Sequence, residues 1–391
     1  MGEKAKGLIS PDWKQAIPGL IVCIIFAYLA MNFSHTLKVL HKDGVGWATF
    51  LYVSAQFKYV AILLLGGILI RNTVGVPKSW MRGIMAARPI IKPGIILLGV
   101  HYVWSDVIKV GGVGLLLTSI FIFGTAATVM VVSKKFGAPD GLGGIMAAGT
   151  GICGVSAIIA TAPVVRSKPR DLAYAIGTIL LFGTVMLFIF PYIGMALGLE
   201  QAQFGAWVAL AILNTAQLIA SAEWYGAGAR DTAVLINAAR IMFIPVIVLF
   251  SLWFYVIRGQ AANAAGRGGD VAAAGANNAP EVNIDKWQLF KDKFPVFIIG
   301  FFIFVGLNSA NTGFFGGPDV EGSAFWAINN MYKWFFAVGF AGIGLMISID
   351  DLKKAGGTAF AIGFGAALAK AVLGLIAVYL IGAELLTVVG G

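Results

Sequence analysis

Four groups of polar residues stand in stretches otherwise too apolar for them, and their types suit one task, the holding of a small anion. The first lies in GLGGIMAAGTGICGVSAIIATAPVV, residues 141–165. Its middle, Gly149-Thr150-Gly151-Ile152-Cys153-Gly154, puts three glycines in six residues, each costing a helix about 1 kcal/mol relative to alanine. Broken backbone at membrane depth survives only where protein covers it or water reaches it, and transporters use such breaks to aim free N–H and C=O groups at a solute. Candidate ligands here are Thr150, Gly151, Cys153, Gly154 and Ser156. A helix beginning near Cys153 offers N–H groups and a positive dipole end, although close helix packing uses the same small residues.

The second group is Asn214, Gln217 and Ser221, spaced by three and four and so on one helical face. The third is Arg240, with Asn237 three residues earlier. An arginine inside a span is costly and pairs or faces a cavity. This one has no acidic neighbour in its own run, which favours an anionic solute over a carboxylate from another helix. The fourth is His101, a lone histidine of the kind more often satisfied in a core than active as a relay. There is no HExxH, Walker loop, nucleophile elbow or carboxylate cluster. The expectation is no catalytic residue, no metal site, no cofactor and no enzyme.

The elements that must position these groups are membrane spans. Of 391 residues, 59% are hydrophobic and 12% charged, against about 25% charged in soluble domains. The class is an all-α polytopic membrane protein of about 10–11 segments, because the apolar runs are continuous rather than alternating. A net charge of +10 sits in short loops and reads as orientation signal, not nucleic-acid binding. The two cysteines, Cys23 and Cys153, imply no disulfide framework.

Spans are expected at 15–32, 47–70, 93–108, 111–132, 172–198, 205–222, 232–257, 294–308, 324–348 and 356–388. Lys58 falls inside the second. A loop is expected at 33–46, and polar stretches at 71–92, with five cations and no anion, and at 223–231. Cations before the first span place the N-terminus in the cytoplasm of an inner-membrane protein, and Asp319 and Glu321 fall outside. The broken segment 141–165 either crosses or enters and returns. The cations on both its sides favour return, but a crossing stays open. An Ala-, Gly- and Asn-rich stretch, 258–281, reads as a flexible linker. The chain thus divides into 1–257, a cytoplasmic linker 258–292, and 293–391.

At a constant offset of 245, Gly94 meets Gly339, Gly99 meets Gly344, Asp106 meets Asp351, Lys109 meets Lys354, and Gly111-Gly112 meet Gly356-Gly357. By the span count the copies run in opposite directions, which is an inverted repeat.

The stretch AAGTGICGVSAIIATAPVV, 147–165, resembles the signature of the YeiH-type family of sulfate exporters, an uncharacterised conserved membrane family. The likeness extends over 92–99, the Ala216-Gln217 region, Arg240 and 344–357. It implies an inverted-repeat transporter of about ten helices, exporting sulfate or small sulfonates. The chain departs from the family pattern in Leu213 and Asn214 for a His-Glu pair, Ala162 for an acidic residue, Asn237 for a lysine and His101 for an arginine. It reads as a divergent member. The functional expectation is a secondary transporter, an exporter of a small anion. Thr150, Gly151, Cys153, Gly154 and Ser156 form its site with Asn214, Gln217, Asn237 and Arg240. Partners are the anionic solute and membrane lipid, with self-association or a partner subunit left open. The alternatives are a non-transporting subunit with a retired site, and a passive anion channel.

Overall fold

The structure is a computed structural model. It describes residues 13–54, 57–254, 294–310, 323–350 and 357–388, together with 291, 315, 316, 320 and 322. Every regular element among them is helical. In chain order these are α1 (Trp13–Lys42), α2 (Tyr59–Thr73), α3 (Lys78–His101), α4 (Trp104–Lys135), α5 (Asp140–Gly151), α6 (Val155–Thr161) and α7 (Pro169–Ala196). Then come α8 (Gln201–Ala211), α9 (Thr215–Tyr225), α10 (Ala227–Leu252), α11 (Phe297–Ala310), α12 (Ala324–Met346) and α13 (Gly357–Ile381).

Six helices, α1 from Gln15, α3, α4, α7, α10 and α13, are long and apolar enough to cross a membrane. Their outward faces carry Ile21, Ile25, Leu29, Ile108, Leu116, Leu373 and Leu380, all exposed. A surface of this kind belongs in lipid, since each large apolar side chain left in water forgoes roughly 1.5–3 kcal/mol.

Several sequence expectations are corrected. The first span does not stop at 32; α1 runs on to Lys42 and absorbs much of the expected loop. Lys58 is not mid-span. The run 47–70 is broken by the π-helical turn Phe50–Ser54, and Lys58 is the residue preceding α2. The cationic stretch 71–92 is largely helix, because α3 begins at Lys78 and carries its basic residues through to the apolar 91–101. The run 205–222 is two helices rather than one, and the polar stretch 223–231 is helical apart from Gly226, which separates α9 from α10. The linker stretch 258–281, Asp319, Glu321 and the 351–356 part of the repeat lie outside the described residues.

The inverted repeat is visible in the breaks. Helix α3 ends at His101 and α4 starts at Trp104; α12 ends at Met346 and helix resumes at Ile349, each position displaced by 245. Tyr102 and Ile347 are the extended joints (φ −120°, ψ 150° and φ −76°, ψ 103°). The two copies also cross each other. A Cβ on Gly94 would strike Phe336, and one on Gly339 would strike Ile91. Under the same offset these contacts exchange to within a residue or so. Gly342 lies against Ala87, Gly339 against Ile91 and Phe336 against Gly94, so one number falls as the other rises and the copies run oppositely.

The helices sort into two bodies. Helices α1, α2, α3, α11 and α12 pack chiefly on one another and form a scaffold. Helices α4 to α10 and α13 form a core. The seam between them is crossed mainly by α9, which touches α2 and α12, and by α11 against α4.

Candidate functional site: two hairpin tips at mid-membrane

The broken segment enters and returns. A Cβ on Gly141 would lie 2.9 Å from Ser167, one on Gly144 2.8 Å from Val165, and one on Gly149 2.7 Å from Ile158. Residue pairs that close toward a common midpoint define antiparallel arms, α5 and α6, with their tip at Ile152–Gly154. Glycines in α5 let the arms touch without side chains between them, as small residues do in membranes. The tip itself needs glycine. Gly154 has φ +73°, and a Cβ there would sit 2.8 Å from the Leu213 carbonyl oxygen. At 1.5 Å per residue, the 12-residue α5 is about 18 Å long, enough to reach the middle of a hydrocarbon core of roughly 30 Å.

Helices α8 and α9 make a second hairpin. At its open end the Tyr225 hydroxyl donates to Leu199 O (2.6 Å), the Gly228 N–H donates to Gln201 Oε1 (2.8 Å), and the Phe204 and Tyr225 rings stack at 3.8 Å. Its tip is the extended stretch Ile212–Asn214 (Ile212 φ −69°, ψ 127°; Asn214 φ −127°, ψ 127°). Asn214 then caps α9, its Oδ1 accepting from the Ala216 N–H at 3.0 Å.

Helix α7 starts just past the base of the first hairpin and ends at the base of the second, so the hairpins enter from opposite faces. Their tips meet halfway along it. Gly149 and Gly154 lie against Ile179, while Gln217 Nε2 donates to Leu180 O (3.1 Å) and Thr184 Oγ1 (2.8 Å).

Each tip carries a buried cation on the C-terminal end of its entering arm. Arg240 Nη1 donates to Ala209 O (2.6 Å) and Ile212 O (2.9 Å). Lys370, halfway along α13, donates to Thr150 O at 2.8 Å. They are 1% and 2% exposed. Free carbonyls carry partial negative charge at a helix end, which holds both cations but neutralises neither. Arg240 Nε and Nη2, Asn214 Nδ2, Gln217 Oε1 and Ser221 Oγ have no partner among the described residues. Arg240 lies close enough to Cys153 and to Lys370 to interact electrostatically, and Arg88 of α3 does the same with Cys153.

Beside the tips, at the seam of scaffold and core, an open pocket is lined by Asn214, Gln217 and Leu180 from the core and by Arg88, Ile343 and Ser348 from the scaffold.

The structure therefore brings Thr150, Gly151, Cys153, Gly154, Asn214, Gln217 and Arg240 to one place. Asn237 joins them through Thr215, whose hydroxyl donates to its Oδ1 at 3.3 Å. The Thr150 hydroxyl is returned to its own helix at Met146 O (2.7 Å) and offers nothing outward. Ser156 is exposed on the short α6. The expected helix starting near Cys153 is α6, only seven residues long, so its dipole is slight. His101 lies apart, 3.2 Å from Asn329 Oδ1 and packed on Phe325 and Tyr332.

The family described as conserved hypothetical protein 698 matches residues 18–363. The chain belongs to this family. Among its relatives, a UPF0324 membrane protein of Nitratidesulfovibrio vulgaris is 36% identical, with 94% of this chain and 93% of the relative covered. A UPF0324 membrane protein of Bacillus cereus is 28% identical, covering 89% and 98%, and one of Pseudomonas aeruginosa is 26% identical, covering 88% of each. No solved structure matches the chain. With its six long apolar helices, this member of the conserved hypothetical protein 698 family is an integral membrane protein.

Sequence reasoning missed Lys370, although a lone lysine in an apolar run is the same signal that marks Arg240. It also missed a polar network in this family member at the base of the second hairpin. Arg230 donates to Asp231 Oδ1 (2.6 Å), Glu223 Oε2 (3.4 Å) and the Tyr332 hydroxyl (2.7 Å), and the Tyr59 hydroxyl donates to Glu223 Oε1 (3.0 Å). Arg230, Glu223 and Asp231 belong to the core, Tyr59 and Tyr332 to the scaffold, so the network closes the seam on the face away from the pocket.

Proposed function

We propose that the chain is a secondary transporter of a small anion, working by alternating access in the inner membrane with its N-terminus in the cytoplasm. What supports this above all is the pair of buried cations, Arg240 and Lys370, at two opposed hairpin tips with no carboxylate beside them among the described residues. An uncompensated buried charge costs several kcal/mol, and an anion from the adjacent pocket supplies the compensation. Arg240 has two nitrogens unused, with Asn214 and Gln217 as neutral neighbours. The seam supports alternating access, being open to the pocket on one face and tied by Arg230, Glu223, Tyr59 and Tyr332 on the other. Cations at Arg71, Lys78, Arg82, Lys134, Lys135, Arg166, Lys168 and Arg170 cluster at the face from which the first hairpin enters, which is the cytoplasmic face by the positive-inside rule. The resemblance to sulfate exporters names sulfate and sulfonates as the first substrates to try, and export as the direction.

The test is thermal stabilisation of the purified protein against sulfate, sulfite, thiosulfate, sulfonates, bicarbonate and carboxylates. An anion at a hundred times its dissociation constant adds about 2.7 kcal/mol to the folded state. At least one anion should stabilise the wild type and leave a folded Arg240→Met variant unmoved. Silence across the panel, or equal stabilisation of the variant, removes the reading. A retired site is disfavoured by the unspent donors of Arg240, which a site without a ligand has no reason to keep buried.

A further inference from the structure

Of the two buried cations that cap the tips, one can change its charge where the other cannot. Arg240 and Arg88 carry guanidinium groups that stay protonated in proteins. Asn214, Gln217, Thr150 and Thr184 do not titrate. Lys370 is an amine, fully enclosed, held by two backbone carbonyls, Thr150 O at 2.8 Å and Gly151 O at 3.5 Å. The charged group that interacts with it is Arg240, a like charge.

The helices packed against α13 bring no counter-charge to this depth. On α4 the titratable side chains are Asp106, Lys109, Lys134 and Lys135, within the first or last turns. On α5 there is Asp140 at the first position. On α7 they are Arg170, Asp171, Tyr174 and Tyr192, toward its two ends. From α8 the neighbour is Trp207, whose indole N–H donates to Ala371 O at 2.8 Å, and from α10 it is Arg240. Tyr379 of α13 itself sits a few turns away and donates to Leu197 O. Among the described residues, the other titratable groups near the tips are Cys153, beside Arg240, and Lys92 of α3, an exposed lysine within electrostatic reach of Cys153 but not of Lys370.

With the anion absent, two ammonium-type charges share one desolvated site, and only Lys370 can relieve that by giving up its proton. With the anion present, the same proton is held in place. We infer that Lys370 takes up one proton with each anion, so that anion and proton cross together. This inference rests on the anion site proposed above. The step balances simply: a neutral amine, a proton from water and the anion become an ammonium paired with the anion, and release reverses it. The sign follows. Binding is strongest at low pH and weakens as pH rises, by up to about tenfold per unit for one proton. It supplies coupling without membrane carboxylates, and net flux then follows both gradients.

The experiment is calorimetric titration of the full-length protein in detergent with sulfate and with methanesulfonate, between pH 6 and 9.5. Two buffers of different ionisation enthalpy report the protons taken up. Neither probe titrates in this range, so any proton belongs to the protein. The wild type should take up close to one proton per anion over part of the range. Lys370→Arg should bind within a few-fold of the wild type with no uptake and no pH dependence. Lys370→Met, a check should the arginine not fit, should bind weakly at every pH while eluting as a folded monodisperse species. Cys153→Ala, whatever its affinity, should take up the same number of protons per anion bound. Wild-type binding with no proton uptake, unchanged uptake in Lys370→Arg, or loss of uptake per bound anion in a Cys153→Ala variant that still binds each overturns the role of Lys370 and leaves the anion site standing. Failure of the folded wild type to bind either probe overturns both.

Discussion

Gly154 shows how tightly a single residue is specified. Its φ of +73° and the Leu213 carbonyl 2.8 Å from where a Cβ would stand leave room for hydrogen alone. Gly154→Ala should cost about 1–3 kcal/mol for the backbone conformation, lowering the thermal midpoint by a few degrees. It should also push the tips apart and abolish stabilisation by anions. Gly124→Ala, where nothing lies within 4 Å, is the control: it should leave the anion response unchanged and, as an alanine inside a helix, should not lower the midpoint. A midpoint equal to that of the control, with anion response intact, would show that the tips do not touch. At this scale the sequence was informative in proportion to chemical contrast. Arg240 and the glycine cluster stand out against apolar surroundings. Lys370 stands out equally, yet no glycine, amide or acid beside it draws the eye. Arg88 reads as one of five cations in a polar stretch, because nothing in 71–92 shows that helix α3 carries it to the pocket wall.

Helices explain the largest misreading. The second hairpin has no glycine at its turn. Ile212, Leu213 and Asn214 simply extend, with Asn214 capping the returning arm, and an apolar pattern hides a reversal of this kind. The first hairpin was legible as a break, but its course was not, since charge statistics favour a return without excluding a crossing. Contacts between arms decide it. The repeat was legible as Gly, Asp and Lys matches at one offset, and it proved to mark joints, at Tyr102 and Ile347, rather than a ligand set. A labelling experiment at this scale follows. In a background with Cys23 and Cys153 replaced, cysteines at Lys135 and Lys168 should react with a membrane-impermeant thiol reagent from one face. Cysteines at Glu200 and Ala227 should react from the other. A split within either pair means that hairpin is a crossing.

The whole molecule is two bodies with one seam, and the seam is unevenly bonded. On one face lies the pocket; on the other, Arg230 and Glu223 reach across to Tyr332 and Tyr59. Each such hydrogen bond to a charged group contributes about 1.5–3 kcal/mol. Tyr59→Phe and Tyr332→Phe should each loosen the closed face, and together shift the population toward opening there. Hydrogen exchange over 223–231 reads this directly: rates should rise several-fold in the double variant while those of α5 stay level. Unchanged exchange would mean the network is a brace within the core and not a tie between bodies.

The two capping cations also bear on what does not pass. Arg240 fixes positive charge beside the tips in every state, and Lys370 adds its own whenever it is protonated; positive groups inside a pore repel protons and metal cations. A wetted gap opening at the tips by thermal motion would meet that repulsion first. On the transporter reading proposed above, the arms they cap would double as insulation, keeping a membrane voltage, worth about 2.3 kcal/mol per charge at 100 mV, from draining through an empty site.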